Sequence, residues 1–185
     1  HTLRFMFIDY GIKEIGLSKE LASFLSGSLA GFMAIGSLIS AFYIKFLERK
    51  RVFTIIGLLT PIALSIILIT NNFYLLLMSF LFLGLVSGFG YFFGLYYALA
   101  DQENSTSNVA VNEALTGIAA LIMPFIFGYI ASNLSYFMAF LFMMIISLIC
   151  YTIAIYTMWQ KKRTAMLKEK FNNLVNRIDD NYRNK

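Results

Sequence analysis

Charge is what this 185-residue chain lacks over most of its length. From Val52 to Ala100, and again from Ala114 to Gln160, it holds no Asp, Glu, Lys, Arg or His. Charged residues make up 14% of the whole, against roughly 25% in an ordinary soluble domain. The scarcity of reactive side chains excludes several kinds of chemistry. Cys150 is the sole cysteine and lies inside an apolar run, so neither a disulfide nor a thiolate metal cluster can be built. The sole histidine is His1, which leaves no imidazole for a Ser-His-Asp or Cys-His nucleophile. No pair of carboxylates falls within an apolar run and no metal-ligand spacing occurs. The expectation is therefore a protein that is not an enzyme, with no catalytic residues, no metal and no cofactor.

What is present is apolar surface, at 59% hydrophobic and 17% aromatic residues. Each charge-free run is about twice the ~20 residues a helix needs to cross a ~30 Å hydrocarbon core. Each is also broken near its middle by a polar turn, Thr70-Asn71-Asn72 in one and Ser132-Asn133-Leu134-Ser135 in the other. Two membrane hairpins follow, with spans at about 52–69, 74–99, 114–131 and 136–158. A fifth span, at about 21–44, precedes them after a plausible N-cap at Ser18. His1 to Ile8 resembles the trailing end of a sixth whose beginning is absent, and Asp9 to Lys19 is expected to be a polar connector. The predicted fold class is an all-α polytopic transmembrane bundle of five complete spans plus the end of a sixth. It occupies residues 1–159, followed by a basic amphipathic tail at 160–185, and the lipid bilayer is its first partner.

The net charge of +5 is local. Eight Lys and Arg residues lie in the tail and four (Lys45, Arg49, Lys50, Arg51) in one loop, while the 71–73 and 132–135 turns carry none. Charge placed beside spans sets topology, and nothing in it points to nucleic acid. The basic loop, the 101–113 loop and the tail share one face, expected to be cytoplasmic, in a plasma (inner) membrane. The acidic 101–113 loop lends that assignment no support of its own.

Small residues and prolines mark close helix contact and bending. In the first full span Ser23, Gly27, Ala30, Ala34, Ser37 and Ala41 recur at alternating spacings of four and three, with Gly31 beside them; Gly84 and Gly88 follow in the third span, and Gly117 and Gly128 in the fourth. Such stripes let membrane helices approach closely. Pro61 and Pro124 are the expected bends. The polar groups able to face a shared cavity are Arg4, Asp9, Ser87, Tyr91, Tyr97, Asn112 and Glu113, an ionisable residue in a span being a functional candidate by default. Five of them have a plainer reading beside the functional one. Arg4 and Asp9 fit snorkelling at the interface, the tyrosines fit packing or interfacial anchoring, and Glu113 fits a carboxylate at a helix N-terminus.

The order of these features resembles the carboxyl-terminal half of a major facilitator superfamily transporter, from the end of helix 7 through helix 12. Gly36-Ser37-Leu38 followed by Lys45 to Arg51 is similar to a degenerate copy of the family's loop motif, in which a helical Gly precedes Asp-Arg-x-Gly-Arg-Arg. Lys45 stands where Asp belongs and Glu48 where Gly belongs, and only Arg49-Lys50-Arg51 keeps the pattern. Gly117 to Gly128 with Pro124 is similar to the glycine and proline pattern of the family's fifth and eleventh helices. The weak loop motif, and a glycine-rich span without the arginine of the fourth helix, favour the second half over the first. The resemblance implies a secondary transporter of a small solute working by alternating access with a missing amino-terminal half. A membrane scaffold or lipid-binding bundle is the rival reading.

Overall fold

The structure, a computed structural model, describes the backbone of residues 2–44, 49–100 and 103–183; the side chains of residues 2, 5, 49, 50, 158 and 161–183 fall outside that description. Among these residues six helices follow one another: α1 (Thr2–Lys13), α2 (Lys19–Tyr43), α3 (Arg49–Ile69), α4 (Phe73–Leu99), α5 (Ser105–Asn133) and α6 (Tyr136–Arg183). There is no strand among the described residues. Stretches of α2 to α6 are each long and apolar enough to cross a bilayer. Short connections make consecutive helices antiparallel. Lys13, the Ile69–Phe73 turn and the Asn133–Tyr136 turn therefore share one end of the bundle, the turn end. Tyr43, Arg49, Leu99 and Ser105 mark the other, the loop end.

Helix boundaries differ from the sequence expectation where polar residues continue a helix past the apolar run. α1 reaches Lys13, so Asp9 is helical instead of lying in a connector; Lys13 Nζ donates to Asp9 Oδ2 at 3.2 Å, a helical i,i+4 pair. The expected 101–113 loop is mostly helix. α5 begins at Ser105, which puts Glu113 more than two turns inside it and removes its reading as an N-terminal carboxylate. Hydropathy marks where lipid ends, and a helix supplied with Ser, Asn and Glu can run on into water. The Ser18 cap is as expected, its Oγ accepting from Leu21 N–H at 3.3 Å. α6 continues without a break through Arg183. Lys45 to Glu48 of the basic loop, and the apolar face expected of the tail, lie outside the described residues.

Helix α4 is the hub, packed along α2 on one side and against α3 and α5 on others. Its approach to α2 is close because glycines on both helices remove the side chain between them. A Cβ at Gly36 would strike the backbone of Leu85, one at Gly84 the Cβ of Phe32, and one at Gly88 the Met33 carbonyl, with Ser37 N at 2.7 Å. The contact takes in Ser37 of the stripe expected to pack and otherwise runs along a neighbouring face of α2. Cβ atoms at Gly27 and Gly31 would meet nothing within 4 Å, and Ser23, Ala30 and Ala34 are exposed. On α5, Gly117 and Gly128 likewise have open space around them. Spacing alone reveals a small-residue face but not which neighbour it meets, and here the glycines of α4 supply the closeness. Pro61 and Pro124 both lie inside unbroken helices.

The aromatic core gathers at the turn end, where Phe7 stacks edge-on against Phe80 (ring centroids 4.5 Å apart) and Tyr10 against Phe140 (4.9 Å). Its buried members, from Leu25 and Leu29 to Ile67 and Leu83, all lie within about 15 Å of that end at 1.5 Å rise per residue. Hydroxyls tie the helices laterally. Ser26 Oγ donates to Arg4 O at 2.7 Å, Tyr10 OH to Ile67 O at 3.3 Å, and the fully buried Ser79 Oγ to Ala63 O at 2.6 Å. Interhelical hydrogen bonds in membranes contribute about 0.6 kcal/mol on average and about 1.7 at most. Ser79→Ala is therefore expected to lower stability by about 1 kcal/mol, read from the denaturation midpoint of detergent-solubilised protein. No change would mean that the α3–α4 contact does not depend on this bond.

Candidate central cleft

Away from that packed end the helices part. A cleft of about 710 Å³ opens between α1, α2, α3, α4 and α5. Five of the seven residues singled out as cavity candidates line it together: Arg4 from α1, Ser87 and Tyr91 from α4, and Asn112 and Glu113 from α5. Sequence reasoning missed Thr60, Thr116 and the apolar wall of Leu29, Met33, Ile56 and Val86. Each threonine donates its hydroxyl to the carbonyl four residues back, Thr60 to Ile56 O at 2.7 Å and Thr116 to Asn112 O at 2.8 Å. That is routine for a threonine in a helix. An apolar wall has no signature that separates it from lipid-facing surface.

Two candidates lie elsewhere. Tyr97 is half-buried and stacks on Phe93, ring centroids 5.8 Å apart. Asp9 sits at the turn end beside a separate hollow of about 390 Å³, where Tyr136 OH donates to Asp9 Oδ2 at 3.4 Å. Both partners of the Asp9–Lys13 ion pair are well exposed. The Asp9 carboxylate, by hydrogen bond and charge, holds the Lys13 ammonium above its ordinary pKa. A pair so open to water is a minor stabiliser, and Asp9 is remote from the cleft because α1 carries it about 7 Å nearer the turn end than Arg4. The side chains of Arg49 and Lys50 lie outside the described residues, so the loop motif is traced only through Gly36, pressed on Leu85, and the exposed Arg51.

Depth follows from helical rise. Arg4 stands about 13 Å from the Lys13 end of α1 and Thr60 about 13 Å from the Ile69 end of α3, near the middle of a ~30 Å hydrocarbon layer. Asn112 and Glu113 stand about 30 Å from the Asn133 end of α5, at the opposite boundary. The cleft thus reaches from mid-depth to the loop end, and the aromatic core closes it from the turn end. Its floor holds a cation and hydroxyls, and its mouth a carboxylate and an amide.

The family model for the Major Facilitator Superfamily matches residues 3–177. The chain belongs to that superfamily. It is an integral membrane protein and part of a membrane transporter of the major facilitator superfamily, with the all-helical bundle its sequence implied. No curated protein and no solved structure matches it.

Proposed function

We propose that the chain is the carboxyl-terminal half of a secondary transporter that carries a small solute by alternating access, with the cleft as its share of the path. The observation that carries this reading is the convergence of polar groups from α1, α3, α4 and α5 on one cleft ending at mid-depth. Transporters of this architecture bind at the midplane and expose the site to either side by rocking one half against the other. An opening at one end and a packed aromatic core at the other correspond to one of the two exposures. The loop end carries the basic 45–51 segment, which the positive-inside rule assigns to the cytoplasm; the state is then inward-facing, in a plasma (inner) membrane with a cytoplasmic tail.

The open faces of α2 and α5 support a missing partner half. Gly27, Gly31 and Gly117 are exposed, and a Cβ added at any of them would meet nothing within 4 Å; small residues are what a closely apposed helix requires. The full-length protein, reconstituted in proteoliposomes and offered a panel of impermeant small solutes under a proton or sodium gradient, is expected to give saturable flux well above protein-free vesicles. A scaffold or lipid-binding bundle would give none for any solute, and that result would end the transport reading.

A further inference from the structure

Among the described residues one full positive charge, Arg4, lines the cleft, and it lies deep in it. Arg4 has no ion pair among the described residues, and no other Lys, Arg or His among them lines the cleft. The only carboxylate there among the described residues, Glu113, stands about 17 Å further along the bundle axis toward the mouth by helical rise, out of reach of the guanidinium. Ser26 bonds the Arg4 backbone carbonyl and leaves the guanidinium's donors free of that contact. An uncompensated guanidinium at mid-bilayer depth is costly. It is tolerated where water or an anion meets it, and its planar donor fork matches a carboxylate or sulfonate in bidentate fashion. Around it the wall is apolar, with Leu29, Met33, Ile56 and Val86, and the hydroxyls of Thr60 and Ser87 stand at its edge.

Resting on the transport reading above, we infer that the solute is a small organic anion, its carboxylate or sulfonate held on Arg4 and its apolar body against α2, α3 and α4. A cation would meet repulsion at the floor. A neutral polyol would leave the guanidinium unpaired and the apolar wall unused. Glu113 at the mouth does not oppose this, because it is exposed to water there and screened from the floor by distance.

The test uses the full-length transporter in proteoliposomes with charge-matched impermeant probes: benzenesulfonate and benzenedisulfonate, a neutral sugar, and phenyltrimethylammonium. The sulfonates are expected to be carried and the other two not. Arg4→Gln should lower sulfonate flux at least ten-fold, and Arg4→Lys should keep the anion preference at a reduced rate. Flux confined to the sugar or the ammonium probe overturns the anion assignment while leaving the transport reading intact, as does unchanged sulfonate flux in Arg4→Gln. No flux of any probe overturns both. Should Arg4→Gln fail to yield monodisperse protein, the decision passes to the unmodified transporter, where sulfonates must compete with each other for uptake and the ammonium probe must not compete.

Discussion

Gly88→Val abolishes recovery of folded, monodisperse protein, and Gly88→Ala already lowers its thermal midpoint sharply; these are the expected results of filling a seam where two helix backbones meet. The added Cβ would lie against the Met33 carbonyl, 2.7 Å from Ser37 N and 2.9 Å from Gly36 C, all of them backbone atoms of α2. Overpacking a core in which side chains can turn aside costs about 1–3 kcal/mol. Here nothing can turn aside, so relief requires α2 and α4 to separate along their length. Separation also breaks the bond from Ser37 Oγ to Gly88 O at 3.3 Å and strands Gly36 from Leu85. The valine therefore falls at or beyond ~3 kcal/mol, in the range where single substitutions expose a structural seam. Size-exclusion chromatography after detergent extraction reads the outcome. Wild-type recovery and midpoint for Gly88→Val would mean that the two helices do not pack as closely as described.

The spans were legible because lipid imposes a simple demand. A helix crossing it must be apolar for about 20 residues, and Val52 to Ala100 or Ala114 to Gln160 offers little else. Their ends were less legible, since Ser105 to Glu113 has the composition of a loop yet forms the first turns of α5. Within the cleft, Arg4, Ser87, Tyr91, Asn112 and Glu113 could be picked out because polar groups stand out against an apolar background. Asp9 stood out equally and belongs to the turn end, because sequence contrast carries no information on depth until helix direction and length are known. The small-residue stripe of α2 was visible, but its partner was not. The seam to α4 takes Ser37 from that stripe and runs through Gly36, Gly84 and Gly88, two of which a four-residue step places on one face of α4.

Ser87→Trp, one residue from the seam, is expected to leave the fold intact and lower transport at least ten-fold, a rise of about 1.4 kcal/mol in the barrier. Successive helical residues point about 100° apart. Gly88 consequently meets α2 backbone while Ser87 is exposed and lines the cleft. Tryptophan there enters the space between the Arg4 floor and the Glu113 mouth, where a solute would pass. The indole would also cover apolar wall that water now touches, so its effect on stability is neutral or slightly favourable. Two measurements on the full-length protein separate obstruction from damage: solute flux in proteoliposomes, and the thermal midpoint in detergent. Lost flux with an unchanged midpoint places the path through this cleft. Flux equal to wild type with the indole in place would mean that the solute takes another route. The pair Ser87→Trp and Gly88→Val thus distinguishes, across a single peptide bond, the part of α4 that holds the bundle together from the part that faces its cargo.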